Sequence, residues 1–541
     1  MKDLKKSKFL LPITILLFFI INVVQGSITE LLPDEAYYWI YSQHMDWGFF
    51  DHPPLVAIWI LISDYFFSNE MGVRFFSAIS FSFLTYIVWL TIDNPKKKEY
   101  TWLFLLIFFS TALINVYGFI TTPDTALLLF SALFLFAYQY YLKSKSIYRY
   151  LLLSISITGM MYSKYQSVLI ILFVVLSNWK LIKDYKLWLV CLVSLLLYFP
   201  HLYWQWIHDF PSFRYHLQER VSNRMYKFEH TLMHFVNMIA IIGFTFPIIY
   251  KAFFKNILTK NTFFKSLNFI IIGFLIFFFF SSFRGRVQAQ WIVTISIPLI
   301  LISFDFLINN ENSRKWFIRL AFINITIMLV ARILLFTEGI LPKKLNTHGN
   351  KEWALKLQSN TIGKEKIFIN SFQNLSTYWY YTKEKAYYMK DFTGRNNHFV
   401  MLQKHMDLSL NNIALVSRNR LDHANFSTHI RGKDSIFTTL ISNYKDLSQI
   451  EINFTNEDIV LYKNKPNKIS VNIKNNFERP IHIDDFKVYL GFLKNKKTEK
   501  HLKKVLLTSS NKFISSYAVV KGFISFEYDG LPDESIFPTL G

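Results

Sequence analysis

The sequence predicts a polytopic α-helical membrane protein with about 11 transmembrane helices and a C-terminal soluble region of α/β plus β character. Three observations predict it. Apolar segments near 9–28, 71–92, 101–120, 123–142, 148–162, 166–180, 187–205, 231–253, 266–283, 290–308 and 316–336 recur along the first part of the chain. Each is long enough to cross a bilayer, some only with tilt or pairing. Basic clusters fall between them, each separated from the next by two apolar segments. From about residue 340 the long apolar runs stop and short alternating stretches begin.

Charge supports the same reading. A net charge of +22 in 541 residues suggests nucleic acid in a soluble chain, but here the basic residues sit in short loops, where they are topology signals. No nucleic-acid partner is expected; membrane lipids are. The clusters are Lys2 to Lys8, Lys96 to Lys98, Lys143 to Arg149, Lys180 to Lys186, Lys251 to Lys265 and Arg314 to Arg319, and each is expected on the cytoplasmic side. An N-terminus inside and an odd number of crossings put the C-terminal region outside, in a plasma (inner) membrane. The opening apolar run has no small-residue cleavage site after it and is expected to stay as the first helix. A single cysteine, Cys191, excludes an intramolecular disulfide, so the outer region needs its own core.

The expected domains are 1–336 in the membrane, 337–463 as an α/β unit and 464–541 as a β-rich unit. GNKEWALKLQS reads as a helix; KIFINSF, NIALVSR, DIVLYKN, KISVNIK, FKVYLGF and AVVKGFISFEY read as strands. No internal repeat is visible, which weighs against inverted-repeat transporters.

Candidate chemistry gathers on the outer side. Pro33-Asp34-Glu35, Asp51-His52-Pro53-Pro54 and Thr122-Pro123-Asp124 share one local pattern, a carboxylate beside a helix-starting proline. Capping and dipole complementation explain each singly. The topology brings all three to one membrane level, where they can form an acid/base or metal site. Outer basic residues are few: Lys164, Arg214, Arg220, Arg224, Lys227, Arg284 and Arg286. Lys164 reads either as a snorkelling lysine or as an anion ligand, and SSFRGRVQAQW offers two guanidiniums suited to a phosphate. His230 and His234 are spaced for metal but have no acidic third ligand nearby, and His201, His208 and His216 are scattered. There is no glycine-rich phosphate loop, CxxC set or GxSxG.

The stretch DEAYYWIYSQHMDWGFFDHPPL resembles the first-loop signature of the GT-C membrane glycosyltransferases related to the protein O-mannosyltransferases and the lipid A aminoarabinose transferases (families 39 and 83). TTPDTALLLF, GMMYSKYQSVLI, FPHLYWQWIHDFPSF and RGRVQAQW follow in order, covering most of 30–300, and GNKEWA and GRNNHF extend the likeness to about 400. The resemblance implies a polyprenyl-phosphate sugar donor, an extracytoplasmic acceptor (lipid, glycan or protein hydroxyl) and an outer active site. It implies Asp34 as the catalytic carboxylate with Glu35 in support, and Asp51 and Asp124 as ligands of a divalent metal. It implies Lys164, Arg284 and Arg286 as holders of the donor phosphate. His52 stands where the lipid A branch commonly has lysine. The rival from another class is a lipid or solute transporter, against which the acids lie at the ends of crossings rather than at the midplane.

Overall fold

The computed structural model describes residues 8–219, 226–341, 345–391, 394–404, 406–419, 424–430, 434–456, 459–485, 487–494, 497–509, 511–527 and 537–540. The chain divides into two compact units, Met1–Asn350 and Lys351–Gly541.

The first unit is helical. Its helices are α1 (Leu10–Ile28), α2 (Pro33–Gln43), α3 (Leu55–Phe66), α4 (Met71–Thr91), α5 (Thr101–Ser110), α6 (Ala112–Val116), α7 (Pro123–Lys143) and α8 (Ile147–Ser163). Then come α9 (Ser167–Ser177), α10 (Tyr185–Ile207), α11 (Pro211–Arg214), α12 (Phe228–Ala240), α13 (Phe246–Asn256), α14 (Thr262–Ser282), α15 (Ser296–Asn309) and α16 (Glu311–Phe336). All the expected apolar segments carry helix. Among the described residues six helices, α1, α4, α7, α10, α14 and α16, are long and apolar enough to cross a membrane. A count of 11 continuous crossings does not follow, because two of the expected segments are broken.

Segment 101–120 splits into α5 and α6, and 231–253 into α12 and α13. Apolar composition does not show such a break, because a broken helix still has to be apolar outside. The freed backbone groups are satisfied where the breaks meet. Leu113 N–H donates to the Ile241 carbonyl at 3.1 Å. Asn324, buried on α16, donates to the carbonyls of Ser110 and Ile242 and accepts from Phe244 N–H at 3.2 Å. Gly243, at φ +79°, takes a left-handed conformation where any Cβ would run into the Asn324 amide.

The first loop is not extended chain. It holds α2, whose start is set by Pro33, and α3, a 12-residue apolar helix packed on α4. Trp39 on α2 donates its indole N–H to Asp64 on α3 at 2.9 Å.

The second unit opens with α17 (Asn350–Asn360) and has two main sheets. Strands β1 (Glu365–Ile369), β2 (Tyr387–Met389), β3 (Leu410–Ser417), β4 (Phe426–Ile430) and β5 (Asp434–Tyr444) form a sheet of order β2-β1-β3-β5-β4. Its β2-β1-β3 part is parallel and carries α18 (Phe372–Thr382) after β1. The second sheet, order β13-β9-β10-β12-β7-β6, is antiparallel in the pairings seen. It is built from β6 (Ile450–Phe454), β7 (Pro466–Asn475), β9 (Val488–Lys494), β10 (Lys497–Ser509), β12 (Val519–Glu527) and β13 (Phe537–Leu540), with β8 (Ile481–His482) and β11 (Phe513–Ile514) as a separate pair. The strand β6 lies before residue 464, yet it pairs with β7, Ile452 opposite Ile473.

The expected strand DIVLYKN does not form over its described residues. Val460 and Tyr462 are exposed, and the Asn467 side chain takes the backbone partners a neighbouring strand would need. It accepts from Tyr462 N–H at 2.7 Å and donates to the Tyr462 and Lys465 carbonyls.

Candidate active site

Two adjacent acids at the start of α2 face opposite ways. Successive helical residues are about 100° apart around the axis, and Asp34 is exposed whereas Glu35 is 0% exposed. Glu35 is saturated with donors. Its Oε1 accepts from Arg74 Nε at 2.8 Å and Thr121 N–H at 2.9 Å; its Oε2 accepts from Arg74 Nη2 at 2.5 Å and Leu32 N–H at 3.0 Å. Arg74, also fully buried, donates further to the carbonyls of Gly26, Thr29 and Glu30. Glu35, expected to support Asp34, ties α2 to α4 and to the chain entering α7. Sequence reading does not single out Arg74, although a lone arginine inside an apolar segment is the available signal.

The loop after α2 is fastened by the end of α10. His201 Nδ1 pairs with the Trp47 carbonyl at 2.6 Å, and Trp204 Nε1 donates to Asp46 at 2.6 Å. Ser212, held by Gln205 at 2.7 Å, donates to the Phe49 carbonyl at 2.9 Å. His216 Nε2 pairs with the Asp51 carbonyl at 2.9 Å. Gly48 lies so close to the Trp204 ring that a Cβ would overlap it. The histidines that looked scattered therefore include two, His201 and His216, that fix this loop.

Asp34, Tyr38 and Tyr41 fall on one face of α2 by their i, i+4, i+7 spacing. Tyr41 donates its hydroxyl to Asp51, and its ring stacks on Phe49 at 4.1 Å. The Tyr38 hydroxyl lies 3.5 Å from His52 Nε2. Burial, reinforced by the carboxylates of Asp34, Asp51 and Asp124, holds that hydroxyl well above its ordinary value of 10. Tyr38 is thus kept protonated, and stays a hydrogen-bond donor at physiological pH.

Asp124 sits in the first turn of α7 behind its cap, Thr122. Both its oxygens accept from Lys164 Nζ, each at 2.8 Å, in a nearly buried pair. Lys164 follows the end of α8, so this pair joins two helix ends 40 residues apart. Arg284 and Arg286 are exposed after α14, as are Arg214 and Lys227; Arg220 and Arg224 lie outside the described residues.

The residues present do not fit a metal held by Asp51 and Asp124. One carboxylate is occupied by an ammonium and the other by a tyrosine hydroxyl. Among the described residues no group of three or more His, Cys, Asp or Glu is arranged to hold an ion.

Residues 51–204 match the family model described as dolichyl-phosphate-mannose-protein mannosyltransferase. That span contains Asp51, His52, Asp124 and Lys164. No curated protein sequence matches the chain. Among solved structures it is similar to ArnT from Cupriavidus metallidurans in the apo state, with a TM-score of 0.58 and 12% identity over 79% of this chain and 97% of that one. It is equally similar, at TM-score 0.58, to the same protein bound to undecaprenyl phosphate, with 13% identity over 80% of this chain and 98% of that one. At such identity the likeness is one of fold. It bears out the GT-C architecture and the resemblance read from the first loop, and the chain is a multi-pass integral membrane protein.

Proposed function

We propose that this protein is a membrane glycosyltransferase that moves a sugar from a polyprenyl-phosphate donor to an extracytoplasmic hydroxyl on a lipid, glycan or protein. The observation that carries the reading is the split between Asp34 and its neighbours. One carboxylate stands exposed at the helix start, while Glu35 and Asp124 are consumed by Arg74 and Lys164. The acceptor oxygen attacks the anomeric carbon, the bond from that carbon to the phosphate oxygen breaks, and its electron pair stays on the phosphate. Asp34 takes the acceptor proton, the division of labour used by inverting glycosidases. Charge grows on the leaving phosphate, so preset donors aimed at it lower the barrier. Tyr38 and Lys164 are the rigid donors for that task, and His52, Arg284 and Arg286 supply further contacts. If the acceptor is itself a phosphate it needs no base, and Asp34 then positions it.

The test is consumption of a panel of polyprenyl-phosphate sugars by the purified protein in nanodiscs. Release of free polyprenyl phosphate is expected from at least one donor, and its loss in Asp34→Asn. Movement of intact donor or solute across proteoliposomes with no such release would support a transporter instead. Orientation in the inner membrane is part of the proposal: reporters fused after Lys98, Lys186 and Lys315 are expected inside, and one after Ser376 outside.

A further inference from the structure

Arg332 lies on α16, four residues before its end, in a chain segment otherwise apolar and largely exposed. It takes no part in the site above and shares none of its side chains. Its Nη2 donates to Asn22 Oδ1 on α1 at 2.9 Å and to the Asn115 carbonyl on α6 at 3.1 Å, and its guanidinium lies 4.3 Å from the centre of the Phe119 ring. All of these partners are neutral. Among the described residues no carboxylate pairs with Arg332.

The least exposed cations among the described residues, Arg74, Lys164 and Lys366, are each paired with a carboxylate, Glu35, Asp124 and Glu384. A partly buried guanidinium without a counter-charge is costly, and such residues either pair or serve function. Two hydrogen-bonding nitrogens at the same contact are also unsatisfied. Arg332 Nη1 and Asn22 Nδ2 are buried and have no partner. A buried donor left unpaired is normally a sign that an acceptor belongs there. Gly118 contributes by shape, because a Cβ there would overlap the Asn22 amide. Around this contact the surface is apolar: Val24, Ile28, Leu329 and Ile333 are each about half exposed.

We infer that Arg332, with Asn22, forms a second phosphate-binding site, which takes the anionic headgroup of a membrane lipid at the seam of α1, α6 and α16. The guanidinium supplies charge and a fork of donors that fits a phosphate. The apolar flanks accept the chains. Two lipids carry the required chemistry, an anionic phospholipid and a polyprenyl monophosphate. The inference does not rest on the transferase reading, since it asks only that the helices lie in a bilayer.

Native mass spectrometry of the full chain, released from micelles doped with phosphatidylglycerol or with undecaprenyl phosphate, tests it. Wild type is expected to retain one more anionic lipid than Arg332→Gln, and Arg332→Lys to retain it more weakly than wild type. Retention of only one of the two probes identifies the source. Equal retention by wild type and Arg332→Gln for both probes overturns the inference. Should Arg332→Gln fail to fold, the wild-type arginine can be probed in place. A fluorophore on Leu329→Cys, with Cys191→Ser, is expected to be quenched more by brominated phosphatidylglycerol than by brominated phosphatidylcholine at equal fraction. Equal quenching overturns the inference as surely.

Discussion

Replacing Glu35 by Gln tests whether the first-loop acids divide their labour as described. The substitution keeps shape but removes the charge that offsets Arg74, in a pair whose side chains are both 0% exposed. Breaking a buried pair by removing one partner typically costs about 3–5 kcal/mol, because the survivor is left buried and unpaired. The amide also turns one acceptor into a donor, so whichever of the Leu32 and Thr121 N–H groups it faces loses its acceptor. A loss at the upper end of that range is therefore expected, about three and a half orders of magnitude in the folding equilibrium at about 1.4 kcal/mol per decade. Asp34→Asn gives the opposite signature. Asp34 is exposed in the first turn of α2, whose cap is Leu32, so only the charge–dipole term, at most about 1 kcal/mol, is lost. The assay pairs melting in detergent with donor turnover. Glu35→Gln should melt far below wild type, and the double change Glu35→Leu with Arg74→Leu should recover much of the loss. A Glu35→Gln protein that melts like wild type yet turns over no donor would refute the reasoning and return Glu35 to the chemistry.

Asp124→Asn should destabilise by leaving Lys164 unpaired, and adding Lys164→Met should restore melting without restoring donor binding; additive losses in melting would break the pair apart. Turnover should survive exhaustive EDTA, because Asp124 is satisfied by an ammonium; loss on chelation and rescue by a divalent ion would show that Asp51 and Asp124 share a metal after all. Asn324→Leu removes three side-chain hydrogen bonds to the backbone at the breaks, at about 1 kcal/mol each, and a melting point unchanged from wild type would mean the two breaks hold themselves. Tyr38→Phe should lower kcat about 100-fold, the cost of one preset donor, with melting unchanged. Because burial and the three acids raise the Tyr38 hydroxyl, its contribution to stability is complete below pH 10 and is lost only as pH climbs past that value; an alkaline fall in stability that is the same in Tyr38→Phe would assign it elsewhere.

Much of this was legible because membrane helices announce themselves by length and apolarity, and every expected segment is helical. The breaks at Thr111 and Gly243 were not, since helix interruption in a bilayer leaves composition unchanged and shows only in its remedy, one polar residue, Asn324, on a distant helix. The acids at 34, 51 and 124 could each be named from local grammar. That Glu35 and Asp124 are tied into ion pairs could not, because their partners, Arg74 and Lys164, lie 39 and 40 residues away. Lys164 and Asp124 were each visible alone, one as an anion ligand and one as a metal ligand, and their pairing was visible from neither. DIVLYKN shows the converse error: a pattern right for a strand loses to one asparagine that satisfies its backbone locally.

The charge balance of the site has a consequence for how the donor must bind. The first loop, residues 29–70, carries acids and no Lys or Arg, so a phosphate brought there is repelled unless cations from other segments offset it. Arg284 and Arg286 are exposed after α14, a short chain segment from Val287, whose carbonyl accepts from Asn237 on α12 at 2.8 Å. Arg284→Gln and Arg286→Gln should each weaken donor binding, and unchanged affinity in both variants would place the phosphate contact on Tyr38 and Lys164 alone.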